Sequence, residues 1–172
     1  MKPKVKWIVS SAALIVTVFC LSFLFFSRLQ QHASVERPKP LDKLLPETRL
    51  VDSTTTQVDD QTLRKGKVIL VFLSTNCKAC DNEVDFLREA YKKRGDVKFY
   101  GIVSFGTKVA MKETEEKYPF QVYFDEGGLA HKLGIARVPM KVLVNDGHIQ
   151  EIWGGSSERA QAQFTQWLEG LH

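Results

Sequence analysis

Apolar and polar positions divide the chain into one long apolar run, a polar stretch and a series of short patterned segments. From Trp7 to Phe26 there are 20 consecutive residues without a charge. As a helix rising about 1.5 Å per residue, this run crosses the roughly 30 Å hydrocarbon core of a bilayer. From Ser27 to Leu45 the chain is polar and Pro38 and Pro40 prevent helix propagation, which predicts a tether. Beyond it, Val68-Ile69-Leu70-Val71-Phe72-Leu73 is continuously apolar, as in a strand buried on both faces. Val84, Leu87 and Tyr91, flanked by Phe86 and Ala90, then recur at helical spacing until Gly95. Val97 to Val103 reads as a second strand, and Lys108 to Lys117 as a largely polar helix with a solvated face, ended by Tyr118-Pro119.

The remaining pattern is strand-rich. Gln121 to Phe124 is a short strand and Leu129 to Leu133 a helical turn. Lys141 to Val144 and Ile149 to Trp153 flank Asn145-Asp146-Gly147, whose turn chemistry predicts an antiparallel hairpin. The closing helix places Ala160, Phe164, Trp167, Leu168 and Leu171 on one face, with Ser156 or Ser157 as its cap. A βαβ unit followed by a hairpin and a helix predicts an α/β domain: a mixed sheet with helices on both faces. It covers residues 46–172, and its 127 residues suffice for a core of their own.

Composition adds a compartment. The chain has 172 residues, 44% hydrophobic and 26% charged, which is globular rather than disordered. Its net charge of +4 is largely made by Lys2, Lys4 and Lys6, and the rest holds 21 basic against 20 acidic residues. No basic stripe exists, so a nucleic-acid partner is not expected. The three lysines keep residues 1–6 in the cytoplasm, so a single pass through residues 7–26 puts the tether at 27–45 and the domain outside, on the periplasmic side of the cytoplasmic membrane. A cleaved signal peptide has a shorter apolar core ending in small residues, whereas this run ends in Phe25-Phe26-Ser27-Arg28, so an uncleaved anchor is expected. Cys20 lies within the span, and Val18-Phe19 ahead of it does not suit a lipoprotein site; it reads as a small lipid-facing residue.

Cys77-Lys78-Ala79-Cys80 stands where the buried strand gives way to a helix. At i and i+3 two sulfurs can bond with little backbone movement. Unpaired N–H groups of the first turn, with Lys78 beside them, stabilise a thiolate at Cys77. Cys80, four residues before Val84, points inward. One exposed acidic thiol and one shielded thiol suit thiol–disulfide exchange, with Cys77 attacking and Cys80 resolving. Two other readings stay open: half of a zinc site, for which His131 and His148 offer no second ligand pair, and an inert structural disulfide.

These segments resemble membrane-anchored thioredoxin-like proteins of the TlpA/ResA type, which include the thiol–disulfide oxidoreductases of cytochrome c maturation. The likeness spans Pro46 to His172 and rests on Leu63-Arg64-Lys65-Gly66-Lys67, Val68 to Phe72, the cysteine pair and Glu83. Tyr123-Phe124-Asp125, Leu133-Gly134-Ile135 and Val138-Pro139 complete it. It implies a thioredoxin-like fold, Cys77 as nucleophile and Cys80 as resolving thiol. It also implies Glu83 as the acid that tunes the thiols or relays protons; a first-turn glutamate favoured by the helix dipole is the plain alternative. Pro139 would be a cis-proline, with the Val138 backbone offered to an extended substrate. No cofactor is implied beyond the dithiol itself. The implied partners are exported proteins with cysteine pairs and a membrane thiol electron donor.

The chain departs from that family at Asn76 for tryptophan, Ala79 for proline, Asp85 for proline and Met140 for threonine. Asn76 is a good helix cap, so it is expected to compete with Cys77 for the same N–H groups. The rival function is a thioredoxin-fold module that binds Cu(I) through soft thiolates, for which His131 or His148 would have to supply a third ligand. A peroxidase of the peroxiredoxin type would need a Pro/Thr-rich loop before the helix, where Ser74-Thr75-Asn76 offers a thin likeness.

Overall fold

The computed structural model describes residues 41–170. The apolar run 7–26, Cys20 and most of the tether lie outside the described residues, as does Leu171. The described chain forms β1 (Lys43–Leu44), β2 (Leu50–Val51), a 3-10 turn (Asp60–Leu63), β3 (Lys67–Ser74), α1 (Lys78–Asp81) and α2 (Val84–Lys93). It continues through β4 (Lys98–Phe105), α3 (Met111–Glu115), β5 (Val122–Asp125), α4 (Leu129–Lys132), β6 (Met140–Asn145), β7 (His148–Gly154) and α5 (Glu158–Glu169).

The strands make one mixed sheet in the order β1-β7-β6-β3-β4-β5-β2. β3 runs parallel to β4 and antiparallel to β6, so it joins the βαβ half to the hairpin half. Its apolar run behaves as expected: Val68 to Leu73 are all fully buried. Alternation sends Ile69, Val71 and Leu73 to one core cluster, with Leu87 of α2 and Phe164 and Leu168 of α5. Val68, Leu70 and Phe72 pack on the other face with Leu63, Leu129 and Ala130. Helices therefore cover both faces, as the element order predicts.

The hairpin follows its turn chemistry. Asp146 and Gly147 both take positive φ, 46° and 81°, as a two-residue turn with the strands' own twist requires. Ser157 is the cap of α5, its hydroxyl accepting the Ala160 N–H at 3.3 Å.

Three expectations need correction. The fold begins earlier than Pro46: residues 43 and 44, read as the end of the tether, pair with Ile149 and His148, and Leu45 is buried. Arg64 fixes this segment by donating to the carbonyls of Leu45 (2.8 Å) and Pro46 (3.0 Å). The polar helix is shorter than Lys108 to Lys117, because only Met111 and Thr114 bury a face that holds it to the sheet. The helix after the cysteines is two pieces, broken at Asn82 and Glu83. No proline causes this break; the Glu83 N–H still bonds the Cys80 carbonyl and the Leu87 N–H the Glu83 carbonyl, while the Glu83 side chain turns into the core.

Candidate active site

The site lies at the C-terminal end of β3, where the register with β4 shifts between Leu73 and Ser74. The loop that follows is held from β4, because the Thr75 N–H donates to the Phe105 carbonyl at 3.1 Å. Gly106, with φ of 115°, closes over Thr75: a Cβ there would stand 2.0 Å from Thr75 Oγ1. Gly106→Ala is therefore expected to destabilise the fold by about 1–3 kcal/mol, read by urea unfolding. The same substitution should displace the cysteine loop, read as faster trapping of reduced Cys80 by an alkylating agent.

Cys77 and Cys80 form a disulfide with Cα atoms 5.2 Å apart. Cys77 is itself the cap of α1: its backbone is extended, and its Sγ accepts the Cys80 N–H at 3.1 Å. This corrects the expectation for Asn76, which is exposed and stands one residue ahead of the cap, leaving the first-turn N–H to the sulfur. The two sulfurs differ in access as expected. Cys77 is half-buried at the rim, beside exposed Lys78, whereas Cys80 is 3% exposed and belongs to the core cluster of α2 and α5. The buried Tyr118 hydroxyl donates to the Cys80 carbonyl at 3.0 Å, anchoring the inner end of α1. Burial, with the charges of Asp81 and Glu83, raises the Tyr118 pKa far above its usual range, so it stays a donor.

Pro139 follows a cis peptide bond from Val138. It precedes β6, whose first residue Met140 faces Phe72 of β3, so it lies at the same end of the sheet as Cys77. Pro139 is buried, and Val138 packs against both core clusters.

Glu83 is fully buried and meets a partner that periodicity did not single out. Lys141, 1% exposed, donates from Nζ to Glu83 Oε1 at 2.5 Å and to the Gly155 carbonyl at 3.1 Å. Its ammonium also stands 5.8 Å from the Phe86 ring centre and 5.7 Å from that of Phe164. Burial pushes the Glu83 carboxyl up, against the pull of Lys141, and pushes the Lys141 ammonium down, against the pull of Glu83. The available signal was the lysine's parity on β6: Lys141 pairs with Val71 and so shares its inward face.

His131 and His148 lie toward opposite ends of the sheet. His148 opens β7 opposite Asn145, which pairs with Lys67 at the far end of β3, and its Nδ1 lies 3.1 Å from Asp42. His131 lines a cavity with Ser104, Phe105 and Asp125. Among the described residues, no three metal-ligating side chains converge.

Comparison with known proteins settles the family. The AhpC/TSA family matches residues 41–152, well over half of the chain and including both cysteines and Pro139. This chain belongs to the AhpC/TSA family. The thiol-disulfide oxidoreductase ResA of Bacillus cereus is 27% identical over 153 residues, covering 85% of this chain and 87% of that protein. ResA of Bacillus thuringiensis subsp. konkukian is 26% identical over the same shares. In fold, the chain resembles a secreted Mycobacterium tuberculosis disulfide oxidoreductase homologous to Escherichia coli DsbE. That match has a TM-score of 0.61 at 19% identity, over 74% of this chain and 97% of the other. The thioredoxin-like fold and the cysteine pair make this family member a thiol–disulfide oxidoreductase. Its dithiol carries the two electrons itself, so the exchange requires no separate cofactor.

Proposed function

We propose that this AhpC/TSA-family protein is a membrane-tethered reductant of specific disulfides in exported proteins, acting outside the cytoplasmic membrane in cytochrome c maturation or a related assembly. The observation that carries the reading is the unequal access of the two sulfurs. Cys77 reaches the rim and caps α1, and Cys80 is enclosed by the core. An incoming thiolate can reach Cys77, and the inner Cys80 is then the leaving sulfur; in reverse, Cys77 attacks a substrate and Cys80 resolves. The cis Val138–Pro139 unit at the same end offers its backbone to an extended substrate. The buried Glu83, three residues after Cys80, is the group that accepts its proton, as the family resemblance implies. The anchor at residues 7–26 and the lysines before it support the location, and a membrane thiol donor would recharge the pair.

Thiol trapping of the full-length chain across redox buffers tests direction. A reductant should poise the Cys77/Cys80 couple below about −220 mV, near thioredoxin-like proteins. A value near about −120 mV would make it an oxidant and end the maturation-reductase reading. A pair that binds Cu(I) tightly and does not cycle would identify a copper-assembly module instead.

A further inference from the structure

Lys141 is the most unusual side chain in the core. It occupies an inward position of β6, directly across from Val71, where an aliphatic residue would pack. Isolated ammonium groups are not placed in such surroundings unless paired. Its partner is the carboxylate proposed above to take the Cys80 proton, and the pairing uses one oxygen only. Oε1 is held by Lys141, while Oε2 is buried and has no hydrogen-bond partner among the described residues. Oε2 thus keeps acceptor capacity, while the Gln161 amide of α5 also lowers the carboxyl pKa from nearby. The Glu83 backbone follows Cys80 by one turn, its N–H donating to the Cys80 carbonyl at 3.0 Å.

We propose that Lys141 is a positioning residue for disulfide exchange, keeping Glu83 ionised within the apolar core and aimed so that Oε2 can receive the proton of Cys80. This rests on the reading of Glu83 as the proton acceptor and adds the residue that makes an ionised acceptor tenable there. When the reduced protein acts, the Cys77 thiolate attacks one sulfur of a substrate disulfide. That bond breaks, one substrate thiolate leaves and a mixed disulfide forms. Cys80 then gives its proton to Glu83, and its thiolate attacks Cys77 Sγ. The mixed bond breaks, the second substrate thiolate leaves and the Cys77–Cys80 bond forms. Two electrons pass to the substrate, and Glu83 later releases the proton to water. Lys141 keeps its charge throughout; without it, burial would leave Glu83 protonated and unable to accept.

The groups facing the pair are few. From α5 come Phe164 and the Gln161 amide, which stands near the carboxyl, and Phe86 comes from α2. The Gly155 carbonyl closes the lysine side. Tyr118 and Cys80 are the titratable neighbours, and Asp81 is turned out to Lys117 at 2.7 Å.

The test uses the reduced full-length chain oxidised by glutathione disulfide, with formation and decay of the Cys77–glutathione mixed disulfide followed across pH. In Lys141→Met, decay at pH 7 should slow by about tenfold or more, with its alkaline rise moved to higher pH, while formation keeps its wild-type rate. Glu83→Gln should slow the same step. A wild-type profile in Lys141→Met alongside a slowed Glu83→Gln would overturn the role of Lys141 and leave Glu83 in place. Wild-type profiles in both would remove the Glu83 reading itself. Should Lys141→Met not fold, infrared spectroscopy of the reduced wild-type chain at pH 7 decides. An ionised buried carboxylate supports the proposal; the carbonyl stretch of a protonated, exchange-protected carboxyl overturns it.

Discussion

Changing Cys80 to serine is expected to turn a recycling protein into a trap. Cys77 remains at the rim, so attack on a substrate disulfide proceeds and a mixed disulfide forms. Among the described residues no other thiol can then displace it, because Cys80 is the enclosed sulfur within bonding reach of Cys77. Turnover in an insulin-reduction assay should fall by about a thousandfold or more, since an external thiol replaces a pre-positioned one. Non-reducing electrophoresis should show the covalent adduct accumulating on Cys77. Cys77→Ser should be equally inactive but form no adduct. An adduct with Cys77→Ser and none with Cys80→Ser would exchange the two roles.

The second large effect concerns stability. Glu83 and Lys141 are 0% and 1% exposed, so removing either partner leaves the other buried without its counter-charge. Lys141→Met should cost about 3–5 kcal/mol in urea unfolding at neutral pH. Replacing both, as in Glu83→Leu with Lys141→Met, should cost far less, because no charge then remains in the core. The cost in Lys141→Met should depend on pH with a definite sign. Burial already raises the Glu83 carboxyl, and losing Lys141 raises it further. The folded variant then keeps a proton that the unfolded chain has released. Its stability should therefore be greatest below the ordinary carboxyl range and fall as pH rises through the raised value. A pH-independent cost would mean that packing, not charge, sets the penalty.

Much of the fold could be read from residues whose role is local or repeated. The six apolar residues of β3, the Asn145-Asp146-Gly147 turn and the amphipathic face of α5 each carry their own signal. The cysteine spacing and the apolar spacing of α2 likewise placed Cys80 inward. Other features depended on tertiary context. β1 and β2 are two residues each, too short for any alternation to show, and exist because Ile149 and Phe124 present edges to them. Asn76 looked like a cap because capping preference is a property of residue type; which residue caps depends on where the backbone leaves the strand, and that is Cys77. Lys141 followed the opposite course. A lone lysine in a strand normally marks a solvated face, and only the pairing of β6 with β3 turns it inward toward Glu83.

The attachment of the chain's beginning to the sheet has a mechanical consequence. Residues upstream of the fold enter through β1, an edge strand held to β7 and by the Leu41 N–H on the Gln150 carbonyl at 2.9 Å. Tension applied from that side first peels this short edge, one bond after another. The next resistance is Arg64, which grips the carbonyls of Leu45 and Pro46 from the segment before β3. Arg64 thus acts as a strain relief: a pull on the leading end is stopped at the margin of the sheet. Such a pull is expected to load these two hydrogen bonds before it loads β3, whose C-terminal end leads into Cys77 and Cys80.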